Sequence, residues 1–121
     1  MGNAPYLQNV SQRLPATHVP GTARIMSRGI QRERAVRDLL RNEDWIAFRA
    51  PASLGVADVV ALRDGDRPRL IEVKSTAAGP YHSFGPKERA AFSLAARMAG
   101  ADAFLYWWPP RGRMHVIGEA E

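Results

Sequence analysis

In the segment Leu70-Ile71-Glu72-Val73-Lys74-Ser75-Thr76 a carboxylate and an amine stand two residues apart. On a β-strand such residues point to one side, so Glu72 and Lys74 emerge together while Ile71 and Val73 turn the other way. Asp58, fourteen positions before Glu72, sits in the run VADVVAL, residues 56–62, whose other members are all apolar. A lone carboxylate buried there is costly unless a cation compensates it. If the strand carrying Asp58 pairs with residues 70–76, two carboxylates and an amine share one surface. Carboxylates about 4 Å apart repel by up to ~4 kcal/mol at an effective dielectric of 20, so the cluster needs positive charge. Lys74 offsets one charge. A magnesium or manganese ion, which prefers carboxylate, carbonyl and water oxygens, can neutralise the remainder, with the main-chain carbonyl of Val73 as a further hard ligand. Set against a phosphate, such an ion activates a water and stabilises charge on the phosphorus oxygens, which is the chemistry of phosphodiester hydrolysis. Lys74 would orient the water or help take its proton and support the transition state. The plain alternative is a solvent-facing hairpin carrying an ordinary Glu and Lys.

The elements that must position these groups are legible in the periodicity. Ser27 is a candidate N-cap for a helix over residues 28–42, with Ile30, Val36, Leu39 and Leu40 on one apolar arc. Glu33 falls inside that arc, so the helix presents a carboxylate toward the core side; a boundary glutamate reaching out to solvent is the alternative. Strands are expected over Trp45–Arg49, Val56–Arg63 and Arg69–Ser75, the last two joined through Asp64, Gly65 and Asp66 as an antiparallel hairpin. Residues 79–85 form a loop, and Pro86 opens a helix that runs to Gly100, with Ala91, Phe92, Leu94, Ala95, Met98 and Ala99 on its apolar face. Strands follow over Ala103–Trp108, ended by Pro109 and Pro110, and over Met114–Ile117. The expected fold is α/β, an αβββαβ core with a mixed central sheet flanked by helices.

Composition narrows the partners. At 121 residues the chain fits one domain, and no apolar run approaches the roughly 20 residues that span a bilayer. The start lacks a signal peptide's apolar core, so a cytoplasmic, intracellular location is expected. The absence of cysteine excludes disulfides, thiolate zinc sites and thiol nucleophiles, leaving oxygen or histidine to hold any metal. The net charge is +5, and of 17 basic residues only Lys74 and Lys87 are lysine. Arginine's planar fork matches phosphate oxygens two at a time, a bias that suits nucleic acid. Genomic base composition or adaptation to high temperature would give the same bias.

Residues 1–26, with Pro5, Pro15 and Pro20 and no sustained period, read as a flexible arm before a domain over 27–121. Arg13, Arg24 and Arg28 could track a phosphate backbone, or the arm could be a solvated tail. His18, His82 and His115 lack metal-ligand spacing and read as structural or exposed. Tyr81, His82, Ser83, Lys87 and Arg89 follow the Glu72–Lys74 strand, with Lys87 and Arg89 near a helix N-terminus, which favours phosphate. Glycine-rich phosphate loops are absent, so no nucleotide cofactor is expected.

The order Glu33, Asp58, Glu72-Val73-Lys74 resembles the PD-(D/E)XK nuclease superfamily and, within it, the archaeal-type Holliday junction resolvases. Further likeness lies in the Gly-x-x-x-Glu-Arg start at Gly29–Arg34, the arginine ending the first strand at Arg49, and a serine in the following loop at Ser53. The resemblance covers roughly residues 28–108. It implies a restriction-endonuclease-like fold, with Glu33, Asp58 and Glu72 as metal ligands or their supports and Lys74 as the catalytic lysine. By the same likeness Arg34 and Arg49 contact DNA phosphates near the scissile bond, and Ser53 joins the catalytic set or shapes its turn. Ala57 replaces the proline of the superfamily's name, as in many members.

The resemblance also implies a homodimer acting on four-way junction DNA, and the geometry of the substrate argues the same. A junction of approximate two-fold symmetry needs two symmetric nicks, which a two-fold dimer supplies from paired sites. Phe92, Met98, Phe104, Tyr106, Trp107 and Trp108 are candidates for its apolar interface, each equally able to serve as core. The expected activity is magnesium-dependent resolution of Holliday junctions. A less selective repair or restriction-type nuclease, and a non-cleaving DNA-binding module of the same fold, are the rivals.

Overall fold

The computed structural model describes residues 27–50 and 57–119. The expectations for the arm over 1–26 and for Ser53 lie outside the described residues. Helix α1 (Arg28–Asn42) is followed by β1 (Ile46–Arg49), β2 (Val59–Leu62) and β3 (Arg69–Ser75), then by helix α2 (Pro86–Met98), β4 (Asp102–Trp108) and β5 (His115–Gly118). The strands form one sheet in the order β1-β2-β3-β4-β5, antiparallel except for the parallel pair β3–β4, which α2 connects. A parallel neighbour needs such a crossover, and that crossover carries α2 from one strand end back to the other.

Local chemistry sets the element ends. Ser27 Oγ accepts the Ile30 N–H at 3.1 Å and caps α1 as its sequence suggests. Gly65 adopts φ 83° in the β2–β3 turn, where the Asp66 N–H donates to the Arg63 carbonyl and an Arg63–Asp66 ion pair closes the loop. Helix α2 stops at Met98 rather than Gly100, because Gly100 takes φ 67° and the Ala101 N–H turns back to the Ala96 carbonyl. Of the strand expected over Val56–Arg63, Val56 lies outside the described residues and β2 covers Val59–Leu62, with Asp58 departing from the regular ladder.

The sheet is covered by one helix on each face. Val36 and Leu40 of α1 pack on Val59, Ala61, Ile71, Val73 and Tyr106. Phe92 and Ala96 of α2, with Phe84, pack on Ala103 and Leu105 from the other side. Leu39, expected in the α1 core stripe, is exposed, because the buried stripe narrows to Val36 and Leu40. Of the expected interface aromatics, Phe92 and Tyr106 are core residues and Phe104, Trp107 and Trp108 are half-buried, whereas Met98 is 79% exposed. Ile46 and Phe48 of β1, with Leu62 of β2, lie outward on the face away from α1. Among the described residues no helix is long and apolar enough to cross a membrane.

Candidate active site

Strand β3 alternates as its sequence requires. Ile71 and Val73 enter the core beneath α1, while Glu72 and Lys74 face the α2 side and are half-buried. Lys74 Nζ lies 3.3 Å from Glu72 Oε2 and 5.8 Å from the centroid of the Phe84 ring. That ring limits solvent on one side of the ammonium and favours its charge.

Asp58 is brought to this pair by a break in the ladder. The regular β2–β3 register ends at Val59 opposite Ile71, and the Asp58 N–H then donates to the Ile71 carbonyl at 2.9 Å. This offset lets the carboxylate reach back, so that the Val73 N–H donates to Asp58 Oδ2 at 2.8 Å. The Ala50 N–H donates to the Asp58 carbonyl, holding the end of β1 to the same point. Asp58 is therefore a half-buried residue at the strand entrance, where one backbone donor meets its charge. The sequence reading placed it inside a fully apolar strand; the backbone offset is what moves it.

Glu33 enters from α1. Arg49 Nε donates to Glu33 Oε1 at 3.0 Å, both side chains half-buried. The expected metal support and the expected phosphate contact are thus partners of one another. Glu33 is close enough for its charge to act on Asp58, as do Lys74 and Arg49.

Burial and the charge of a neighbouring carboxylate oppose ionisation of both Glu72 and Asp58. Burial, and then the charge of Asp58, raise the Glu72 carboxyl to about 7, against the lowering effect of Lys74. Asp58 is raised as well, chiefly by burial, with the Val73 N–H opposing and the Glu33 charge adding to the shift. Two adjacent carboxylates that resist ionisation mark a locus short of positive charge. The donors are all oxygens, which suits a hard divalent ion. No group of three or more Asp, Glu, His or Cys side chains is arranged to hold a metal among the described residues. Magnesium does not need one, since it keeps several waters and binds through one or two carboxylates. Val73 enters the site through its N–H; its carbonyl as a ligand remains an expectation.

The other expected residues lie around this centre. Arg28 and Arg34 are exposed on the first two turns of α1, and Lys87 is exposed in the first turn of α2. Arg89 is half-buried, its guanidinium 4.2 Å from the Tyr81 ring. His82 is exposed and His115 stacks on Trp107 at 5.3 Å. Sequence reasoning missed Phe84 beside Lys74, Glu88, whose charge acts on Glu72, and the stacking of Arg32 on Trp108 at 4.3 Å. None of these has a spacing signal, because each joins elements distant in the chain. Two grooves of about 380 and 310 Å³ run beside α2, β4 and β5 and are lined by none of the four catalytic candidates.

The archaeal Holliday junction resolvase (Hjc) family model matches residues 24–121. Among solved structures the chain is similar to an Hjc, a Holliday junction resolvase from the archaeal hyperthermophile Archaeoglobus fulgidus. That likeness has a TM-score of 0.65 and 27% identity over 76% of this chain and 73% of the other. No curated protein matches the sequence.

Proposed function

The chain belongs to the archaeal Holliday junction resolvase family, a family of nucleases, and from that premise we propose that it cuts four-way DNA junctions by metal-dependent, paired phosphodiester hydrolysis. The observation that carries the reading is the convergence of Asp58, Glu72 and Lys74, with both carboxyls raised, at the end of β3. Asp58 and Glu72 would hold a divalent ion, magnesium with manganese able to substitute, and the Val73 carbonyl and Glu33 would complete or support its shell. When bound, the ion would supply Lewis-acid stabilisation of the phosphorus oxygens and a readily ionised water.

The chain's own groups do the rest. Lys74, held by Glu72 and limited in motion by Phe84, orients the attacking water and donates a hydrogen bond to the charge that builds on the phosphate. The Val73 N–H holds one oxygen of the Asp58 carboxylate, and the other would be left to a metal ion. Arg49 orients Glu33 by the same logic. Arg28, Arg34 and Lys87, exposed at the helix starts, supply non-specific phosphate attraction, and Ser53 completes the expected set. Structure selectivity would come from two copies of the site on a two-fold dimer, with Leu94 and Met98 of α2 among the exposed apolar residues available to the second copy.

End-labelled four-way junction, duplex, flap and single-stranded DNA, each incubated with and without magnesium, test this directly. Paired symmetric nicks confined to the junction are expected. Equal cutting of every substrate would make the chain a general nuclease, and tight binding without cutting would overturn the catalytic reading.

A further inference from the structure

The partly buried Arg32 and Arg89 stand apart from the arginines that spend their Nε on the protein itself. Arg37, Arg41, Arg49, Arg63 and Arg67 each donate Nε to an oxygen acceptor within 3.0 Å. Arg32 and Arg89 do not. Their Nε atoms, together with Trp108 Nε1, are the buried side-chain polar atoms without a hydrogen-bond partner among the described residues. Both guanidinium groups are instead stacked on aromatic rings, Arg32 at 4.3 Å from Trp108 and Arg89 at 4.2 Å from Tyr81. Stacking alone does not separate them, since Arg63 and Arg69 also lie over Trp45. Those two have oxygen partners as well, in Asp66 and the Tyr106 hydroxyl. The buried Nε atoms face away from any ligand, but the terminal Nη groups of both residues also have no hydrogen-bond partner or counter-anion among the described residues, and the ring beneath each fixes the plane in which they would meet one.

Their placement is as informative as their chemistry. Arg32 precedes Glu33, whose charge reaches Asp58, and Arg89 follows Glu88, whose charge reaches Glu72. Trp108 lies opposite Ser75 in the β3–β4 register, one residue beyond Lys74. Helix α1 covers one face of the sheet and α2 the other. One stacked arginine therefore lies on each face of the sheet, each next in sequence to a glutamate whose charge reaches the carboxylate pair.

We propose that Arg32 on Trp108 and Arg89 on Tyr81 form a two-sided phosphate clamp that takes the phosphodiester groups flanking the scissile one. The rings hold each fork rigid before DNA arrives, so that bidentate phosphate contact costs little side-chain ordering. This assignment rests on the nuclease reading above, which it extends to a new residue, Arg32, and to a defined role for Arg89.

The test is the salt dependence of junction binding, read by fluorescence anisotropy in EDTA so that cutting does not intervene. Each phosphate contact adds roughly 0.9 to the slope of log affinity against log salt. Arg32→Ala and Arg89→Ala are each expected to lower the slope by about that amount, and the double variant by about twice it. Arg32→Lys and Arg89→Lys should keep most of the slope yet bind more weakly, since charge is retained but the flat fork is lost. Unchanged slopes in both alanine variants, with melting temperatures like the parent's, would overturn the clamp. If an alanine variant does not fold, the glutamine variant, which keeps a stem against the ring, carries the same comparison. A parent that binds the junction but does not cut it in magnesium removes the catalytic reading while the slopes still judge the clamp. A parent that binds no DNA overturns both.

Discussion

Arg49 Nε and Glu33 Oε1, 3.0 Å apart, join the end of β1 to the second turn of α1 and hold a carboxylate where its charge acts on Asp58. The pair is half-buried, so it contributes at the upper end of what exposed ion pairs supply, about 1 kcal/mol. A double-mutant cycle of Glu33→Gln and Arg49→Ala, followed by urea unfolding, should return a coupling of that size. Additive effects would show that the two residues do not support one another.

Glu72→Ala and Lys74→Ala should each reduce single-turnover cleavage of the junction by at least about 10²-fold, the cost of losing one transition-state contact. Junction affinity should stay within a few fold, because phosphate contacts elsewhere dominate binding. Lost affinity with intact cleavage would remove these residues from the chemistry.

Asp58→Asn separates charge from shape. The amide oxygen can still accept the Val73 N–H, so the metal-free protein should melt at or above the parent's temperature, relieved of a carboxylate whose ionisation burial opposes. Magnesium affinity, measured by isothermal titration calorimetry, should fall by tenfold or more. Unchanged affinity would mean that Asp58 is not a ligand.

The pH dependence of stability follows from Glu72. Its carboxyl is raised from 4.5 to about 7 on folding, so the folded state binds a proton that the unfolded chain releases. Stability from this group is fully present below 4.5 and is lost as pH rises to about 7. Asp58, shifted the same way, adds to the trend. Metal-free protein should therefore lose melting temperature between pH 5 and pH 7.5, and magnesium should restore part of it at the higher pH by pairing with the ionised carboxylates. A melting temperature that rises across that interval without metal would contradict the electrostatic account of the site.

Met98→Asp tests the expected dimer. With Met98 79% exposed on α2, the substitution should leave the monomer fold intact and shift sedimentation equilibrium toward monomer if the second copy sits there. No shift would place the interface elsewhere.

Much of the site was legible because strand alternation is rigid. Once residues 69–75 were read as a strand, Glu72 and Lys74 had to share a face, and β3 occupies those very residues. Ser27 and the Asp64-Gly65-Asp66 turn were equally plain, since capping and left-handed backbone are local chemistry. Asp58 was legible as a carboxylate brought beside Glu72 but not as a conformation. Its departure from the ladder depends on the Ile71 carbonyl and the Val73 N–H, partners that only the folded hairpin provides. The pairing of Arg49 with Glu33 and the stacking of Arg32 on Trp108 were out of reach for the same reason, each joining side chains whose distance is set by how α1 rests on the sheet. The aromatics of β4 were left between interface and core by composition alone. Their composition suits an interface, yet Tyr106 is core because β4 lies inside the sheet with β3 and β5 on either side.

The crossover through α2 divides the labour of the chain in time as well as in space. Glu33, Asp58, Glu72 and Lys74 all belong to α1 and the antiparallel meander β1–β2–β3, pairings that close over short stretches of sequence. Phe84, Arg89 and Trp108 come from the later half, and β3 is a bare edge until β4 docks beside it. A chain emerging from the ribosome thus carries the candidate site residues before it has the strand, ring and guanidinium of the later half. The parallel β3–β4 pairing closes over the longer stretch of sequence, so its closure entropy exceeds that of the meander and it is expected to form after the meander.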